Sequence, residues 1–417
     1  MNRSNPQDVQ KRPSSKAAAS EEPEAYFVLY AEPLSDARTK LEDFFNILQP
    51  DTSMTDAVTE QIAALKDQDW AIREEAAGLL GTLKDPRAVI PLISLLRDRD
   101  RSVREAAIEA LRVIGAPAVE VLGACLNETD LSVQEAASTI LATIADERVL
   151  PPLVRALGSS DWIVRMHAAK ALGRVRHTGT VEPLIPLLQD KVKAVREETT
   201  AALAAIGDAA IPSLVDALQH EAWLVRLHAV ESLGKTRSRQ AVEPLLSVLF
   251  NDQDSAVRED AVRALGEIGD PQAVEYLFTA MREPGLRTLA VEALGRIGDS
   301  RAVPALIGIL TGTNTPEVTR TVAGCGDQWN EELITQAAAV RALGQIGDDR
   351  AIPSLIAALE PTFTRAEAAA ALAKFGSKVV PLLIPLLNSS HDENLRFHVR
   401  EALTSAGWRS SRRSRIG

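Results

Sequence analysis

The chain has 417 residues, 46% of them hydrophobic but only 4% aromatic, and a formal net charge of -11. That acidity argues against broad binding of a phosphate backbone, which needs a basic stripe, so no nucleic-acid partner is expected. Two cysteines, Cys125 and Cys325, exclude a disulfide framework and a multi-cysteine zinc site.

Residues 1–24, rich in Ser, Pro, Lys and Glu, are predicted to be a disordered tail. The opening MNRSNPQDVQ lacks a signal-peptide core, and no apolar run suggests a membrane span of ~18 residues. A cytoplasmic protein without membrane insertion is expected. Residues 25–54 carry Tyr26, Phe27, Val28, Leu29, Phe44, Phe45, Ile47 and Leu48, and read as a segment capping whatever follows.

From residue 55 to 408 the sequence repeats. Leu80, Leu111, Leu141, Leu172, Leu203, Leu233, Leu265, Leu294, Leu343, Leu372 and Leu403 recur every 29 to 32 residues, apart from one gap of 49. Seven residues before each stands an arginine, or Gln134 and Gln336 in two copies. Self-similarity at this period means stacked supersecondary units, each with a flank that only its neighbours cover. Residues 86–115 serve as the worked unit. Val89, Leu92, Ile93 and Leu96 predict a first helix that opens on Pro86 and is tightened by Pro91. Asp100 stands where an N-cap belongs, as do Asp69, Asp130, Asp161, Asp254 and Asp392 in other copies. A second helix then buries Val103, Ala107, Ala110 and Leu111 and ends at Gly115.

The long gap falls at residues 311–335, where Gly312, Pro316, Gly324 and Gly326 predict a loop. Loops of this length in compact arrays are often functional, which makes Cys325 and Trp329 candidates for partner contact. Residues 409–417, with Arg409, Arg412, Arg413 and Arg415, read as a basic tail.

The phrase V-R-x-x-A-x-x-A-L-G, seen in SVREAAIEALRVIG, AVREDAVRALGEIG and WIVRMHAAKALGRV, resembles the short HEAT-like repeat of the phycobilin lyase class. The resemblance covers about residues 55–408. It implies an all-α fold: an α-α superhelix, or HEAT-like α-solenoid, of about eleven helical-hairpin repeats with the second helices on the concave side. It also implies a cyanobacterial source. The period is shorter than the ~40–47 residues of standard HEAT repeats. The tetratricopeptide and ankyrin phrases are absent.

Four groups of residues are candidates for function. Trp70, Trp162 and Trp223 share one repeat position, three residues before the arginine column, and suit an aromatic row for a partner or flat ligand. His167 and His228, joined by His398, share another; repeats four and six are two steps apart, roughly 20 Å at ~10 Å per step, which rules out a shared metal. These imidazoles are expected to be solvated or partly covered. Glu105, Glu135, Glu197 and Glu259 follow the arginine column and form an acidic stripe able to attract a basic partner segment. The arginines themselves are expected to form an internal ladder between repeats, as the HEAT resemblance implies.

Enzyme signatures are scarce: there is no P-loop, no G-x-S-x-G and no H-E-x-x-H. Di-iron hydroxylases built on HEAT repeats use several His-Glu pairs, and this chain has one, His220–Glu221. No catalytic residue, metal or resident cofactor is therefore assigned. The expected function is that of a protein–protein interaction scaffold, an assembly or maturation factor whose partner is a phycobiliprotein or a cofactor-assembly protein. The alternative implied by the resemblance is a phycobilin lyase or lyase-type chaperone that attaches a linear tetrapyrrole to a phycobiliprotein cysteine. Trp162, His167, Trp223 and His228 would then contact the bilin.

Overall fold

The computed structural model describes residues 52–144, 146–312 and 326–408, and in 52–56 and 326–330 the backbone alone. The predicted tail at 1–24, most of the capping segment at 25–54, the stretch 313–325 with Cys325, and the tail at 409–417 lie outside the described residues.

The described residues form helices joined by turns, with no strand among them. Eleven second helices follow the repeat: Trp70–Leu83, Arg101–Ile114, Leu131–Leu141, Trp162–Val175, Lys193–Ile206, Trp223–Thr236, Ser255–Ile268, Pro284–Ile297, Gly326–Ile346, Arg365–Ala373 and Glu393–Ser405 (α1 to α11 in that order). The protein is an all-α, HEAT-like α-solenoid. All eleven leucines of the column are fully buried, as a residue at the centre of each repeat must be.

Each second helix starts where its cap dictates. The carboxylates of Asp69, Asp100, Asp130, Asp161, Asp254 and Asp392 all accept from the backbone N–H two residues on. This satisfies one of the free donors at the helix start. Several second helices end on a left-handed residue, Gly269 and Gly298 in α7 and α8 but Arg176 and Arg237 in α4 and α6. First helices are short. The one in the worked unit runs Val89–Ser94 between two 3-10 turns, Pro86–Ala88 and Leu95–Arg97; the N–H that Pro91 lacks removes a bond at its opening, not at its end.

The chain divides into two compact units, residues 1–125 with 144–152, and residues 126–143 with 153–417. Within each, second helices approach closely through a stitch written into A-L-G. In the first unit, a Cβ added at Gly81 would stand 2.8 Å from Ala110 Cα. In the second, Gly173 meets Ala202, Gly234 meets Ala264, Gly266 meets Ala293, Gly295 meets Ala342 and Gly344 meets Ala371, all at 2.6 to 2.9 Å. The sequence pattern points first to another alanine column, three residues after the arginines. That column (Ala107, Ala168, Ala229 and their equivalents) is buried, but the backbone contact runs through the residues flanking the leucine.

Two expectations change. Residues 326–335 are not loop: α9 has 21 residues where α8 has 14, so it starts two turns early. No glycine or proline interrupts residues 327–343, and the added turns are tied down at Glu332 and at buried Thr335, whose hydroxyl bonds that of Thr288 at 2.7 Å. Residues 193–217 do reach the length and apolarity of a membrane span. They are α5 and the next first helix, broken at Gly207 with φ 80, and they bury Val195, Leu203 and Leu214 inside the second unit.

Candidate functional site

The arginine column forms the expected ladder. In the first unit Arg73 donates to both carboxylate oxygens of Asp98 in the next repeat, at 2.8 and 2.9 Å. Its other terminal nitrogen holds the carbonyls of Asp67 and Gln68 in its own turn. In the second unit Arg165 pairs with Asp190, Arg226 with Asp252, Arg258 with Glu283, Arg287 with Glu332 and Arg365 with Asp392. One guanidinium thus closes a turn and joins two repeats, which its planar fork of donors allows. Burial works against the charge of Asp252, yet the Arg226 bond and the Asp254 N–H hold its carboxyl below the usual range.

One rung is built differently. The turn of repeat six carries His220 where repeats five and seven carry Asp190 and Asp252, and Ala222 where repeat seven carries Asp254, so Arg196 finds no carboxylate at the place where Arg165 and Arg226 find theirs. It donates from Nε to His228 Nε2 at 3.1 Å. An arginine has only donors, so the His228 proton resides on Nδ1, 3.1 Å from Glu231 Oε2. Lys235 holds the other oxygen of Glu231 at 2.8 Å. His228, the opposing pull of burial and Lys235 leave the Glu231 carboxyl at about 2. Next to this chain Asp260 is raised by burial, against the bond from Arg263. His228 is therefore buried, where partial or full solvation was expected: the missing acid draws the imidazole inward.

Its twin differs. His167 occupies the same position in α4, but Lys170 stands where α6 has Glu231, and an ammonium offers no acceptor for the imidazole N–H. His167 Nδ1 is buried without a hydrogen-bond partner among the described residues. Burial depresses its pKa, with Lys170 adding and Glu135 and Glu198 opposing.

A second set of clamps lies at the starts of the first helices and was missed in the sequence. Asp85, Asp146, Asp299 and Asp348 cap the N–H two residues on, and the arginine at that position (Arg87, Arg148, Arg301, Arg350) folds back onto the same carboxylate. Arg301 and Arg350 also reach the preceding repeat, at Pro271 O (2.8 Å) and Ser300 O (3.0 Å). The signal was the D-x-R that recurs before these four first helices.

These bonds occupy much of the polar inventory and leave an aromatic edge open. Trp70 in the first unit is 48% exposed; in the second unit Trp162 and Trp223 are 40% and 48% exposed, and Leu131 at the same position 53%. Each opens its helix. Between the two tryptophans of the second unit stands Lys193, exposed and paired to Glu197 at 3.0 Å. The acidic stripe is partly neutralised on its own helices: Glu105 by Arg101 at 2.7 Å, Glu197 by Lys193, Glu259 by Arg263 at 3.3 Å. Glu135 is exposed. Trp329 lies in α9, and its side chain, like Cys325, is outside the described residues.

The His220–Glu221 pair serves its turn: His220 Nδ1 accepts from Ala222 N at 3.0 Å, and Arg226 binds both carbonyls. Among the described residues no three His, Cys, Asp or Glu side chains are grouped to hold a metal ion, so a multi-ligand metal centre does not fit them.

A family described as HEAT repeats matches residues 58–132, 119–204, 181–249, 242–324 and 330–404. Deoxyhypusine hydroxylase-B of Oryza sativa subsp. japonica is 28% identical over 231 residues, 54% of this chain and 75% of that protein. Phycocyanobilin lyase subunit alpha of a Nostoc species is 33% identical over 239 residues, 55% of this chain and 80% of the lyase subunit. Among solved structures, the karyopherin Kap121p bound to the extreme C-terminus of the protein phosphatase Cdc14p matches with a TM-score of 0.54 at 13% identity. That match covers 86% of this chain but 46% of the karyopherin, so the chain spans about half the length of that relative and shares its fold alone.

Proposed function

We propose, from the premise that this chain belongs to the HEAT-repeat family, that it is an interaction scaffold holding another protein along the edge where its second helices begin. The observation that carries this reading is the exposure of Leu131, Trp162 and Trp223 at one repeat position of the second unit. Aromatic side chains offer large area at low entropic cost, and tryptophan is enriched where interfaces draw their energy. The arginines, by contrast, are committed to the ladder. An assembly or maturation role in a cytoplasmic setting fits such a surface. Affinity capture from an extract of the source organism tests it. The Trp162→Ala/Trp223→Ala double variant should lose the captured partner by about ten-fold or more, as expected for loss of two anchors worth ~1 kcal/mol or more each. Undiminished capture with intact folding would return both tryptophans to a structural role.

A second reading has its own support. The similarity to a phycocyanobilin lyase subunit spans 80% of that protein. On this reading the solenoid brings a bilin and a phycobiliprotein together, and proximity supplies the acceleration because the acceptor thiol is its own nucleophile. Trp162, Trp223 and the half-buried His167 would face the bilin; His228, buried and bonded at both ring nitrogens, would not. Co-expression with bilin and phycobiliprotein subunits separates the readings. Colour that stays on the acceptor in a denaturing gel favours the lyase, and its absence across several pairs leaves the scaffold.

A further inference from the structure

The first repeat breaks the packing rule that every later one obeys. One residue before the arginine stands Ile72, which is 42% exposed. At that position Val103, Val195, Val225 and Val257 are fully buried. Six residues after the arginine stands Leu79, also 42% exposed. There the next repeat has Ala110, which packs on Gly81, and later repeats have alanine or serine, apart from the fully buried Ile140. Ile72 and Leu79 are seven residues apart, so they share one face of α1, and half-buried Leu83 continues it. Repeat arrays ordinarily end in a polar outer face. This one ends in isoleucine and leucine.

We propose that this flank of α1 is the docking surface for the chain's own residues 25–50. The segment carries Tyr26, Phe27, Val28, Leu29, Phe44, Phe45, Ile47 and Leu48, and it joins the array at Thr52, where the helix packed on α1 begins. Covalent attachment gives it a local concentration that a free partner would have to exceed. The size of Leu79 selects the kind of occupant. A HEAT helix that brings a glycine to this contact needs alanine or serine there, whereas bulky aromatic and branched side chains fill the wider gap that leucine leaves. The segment thus acts as a terminal cap of a chemistry different from the repeats.

Hydrogen exchange on the full chain tests this. Replacing Phe27, Phe44 and Phe45 by serine should raise exchange in Trp70–Leu83 by about ten-fold or more, leaving Ser255–Ile268 unchanged as the folding control. The reciprocal variant, Ile72→Ser/Leu79→Ser, should make residues 26–48 more sensitive to limited proteolysis. Unchanged exchange in Trp70–Leu83 would overturn the proposal. So would protection there that rises with protein concentration alongside a dimeric mass, since a second copy would then be the occupant.

Discussion

At the scale of single residues, the chain shows how a repeat survives the loss of a recurrent rung. Arg196 meets an imidazole in place of a carboxylate, and His228 passes the interaction to Glu231 and Lys235. Replacing His228 by leucine should strand the Arg196 Nε and cost about 1–3 kcal/mol, the usual penalty for a buried donor left unpaired. The residue before α6, Ala222, has φ -75 and ψ 117, close to the φ -80 and ψ 122 of the capping Asp161. Ala222→Asp should therefore stabilise the wild type by about 1 kcal/mol through capping, and more in the His228→Leu background, where it also offers Arg196 an acid. Chemical denaturation of the three variants checks both; equal gains in the two backgrounds would deny the coupling. His167 supplies a pH test. Its folded-state pKa lies below its ordinary value because it is buried, so the unfolded chain binds its proton more readily. Its contribution should be lost as pH falls through about 6.5, and His167→Leu should flatten the stability profile below that point. An unaltered slope would contradict the assignment.

At the scale of the helix, most of the framework was legible and its fine contacts were not. Caps at Asp69, Asp100, Asp130, Asp161, Asp254 and Asp392 follow from a carboxylate before an apolar period, a local signal. The A-L-G stitch needs to be known in three dimensions, because a buried alanine in sequence does not say which neighbour it meets. Nor could Gly326 be told from a loop glycine when the turns it opens are fixed by Arg287 and Thr288, far away in sequence. The stitch predicts opposite outcomes for two glycines. Gly234→Ala would force a Cβ to 2.7 Å from Ala264 Cβ and should destabilise by about 1–3 kcal/mol. Gly78 is mid-helix with open space around its Cα, so Gly78→Ala should stabilise by up to about 1 kcal/mol. Thermal unfolding of the two variants decides; shifts of the same sign would show that the close approach is not what those glycines are for.

At the scale of the whole molecule, the period alone gave the fold, because each hairpin has apolar flanks that another hairpin must cover. The site was less legible. The sequence marked Trp162 and Trp223 as unusual, yet the same letters suit packing as well as contact; the structure adds that the two residues are 40% and 48% exposed. His167 and His228, alike in sequence, part company because the residue three places on is lysine in one and glutamate in the other. Similarity to a hydroxylase and to a lyase subunit shows that related arrays serve different chemistries, so the fold carries less functional information than the surface. The most direct measurement is hydrogen exchange of the full chain with and without its captured partner. The scaffold account predicts protection concentrated in the first turns of α4, α5 and α6, around Trp162, Lys193 and Trp223. Protection elsewhere, with those turns exchanging as in the free protein, would contradict it.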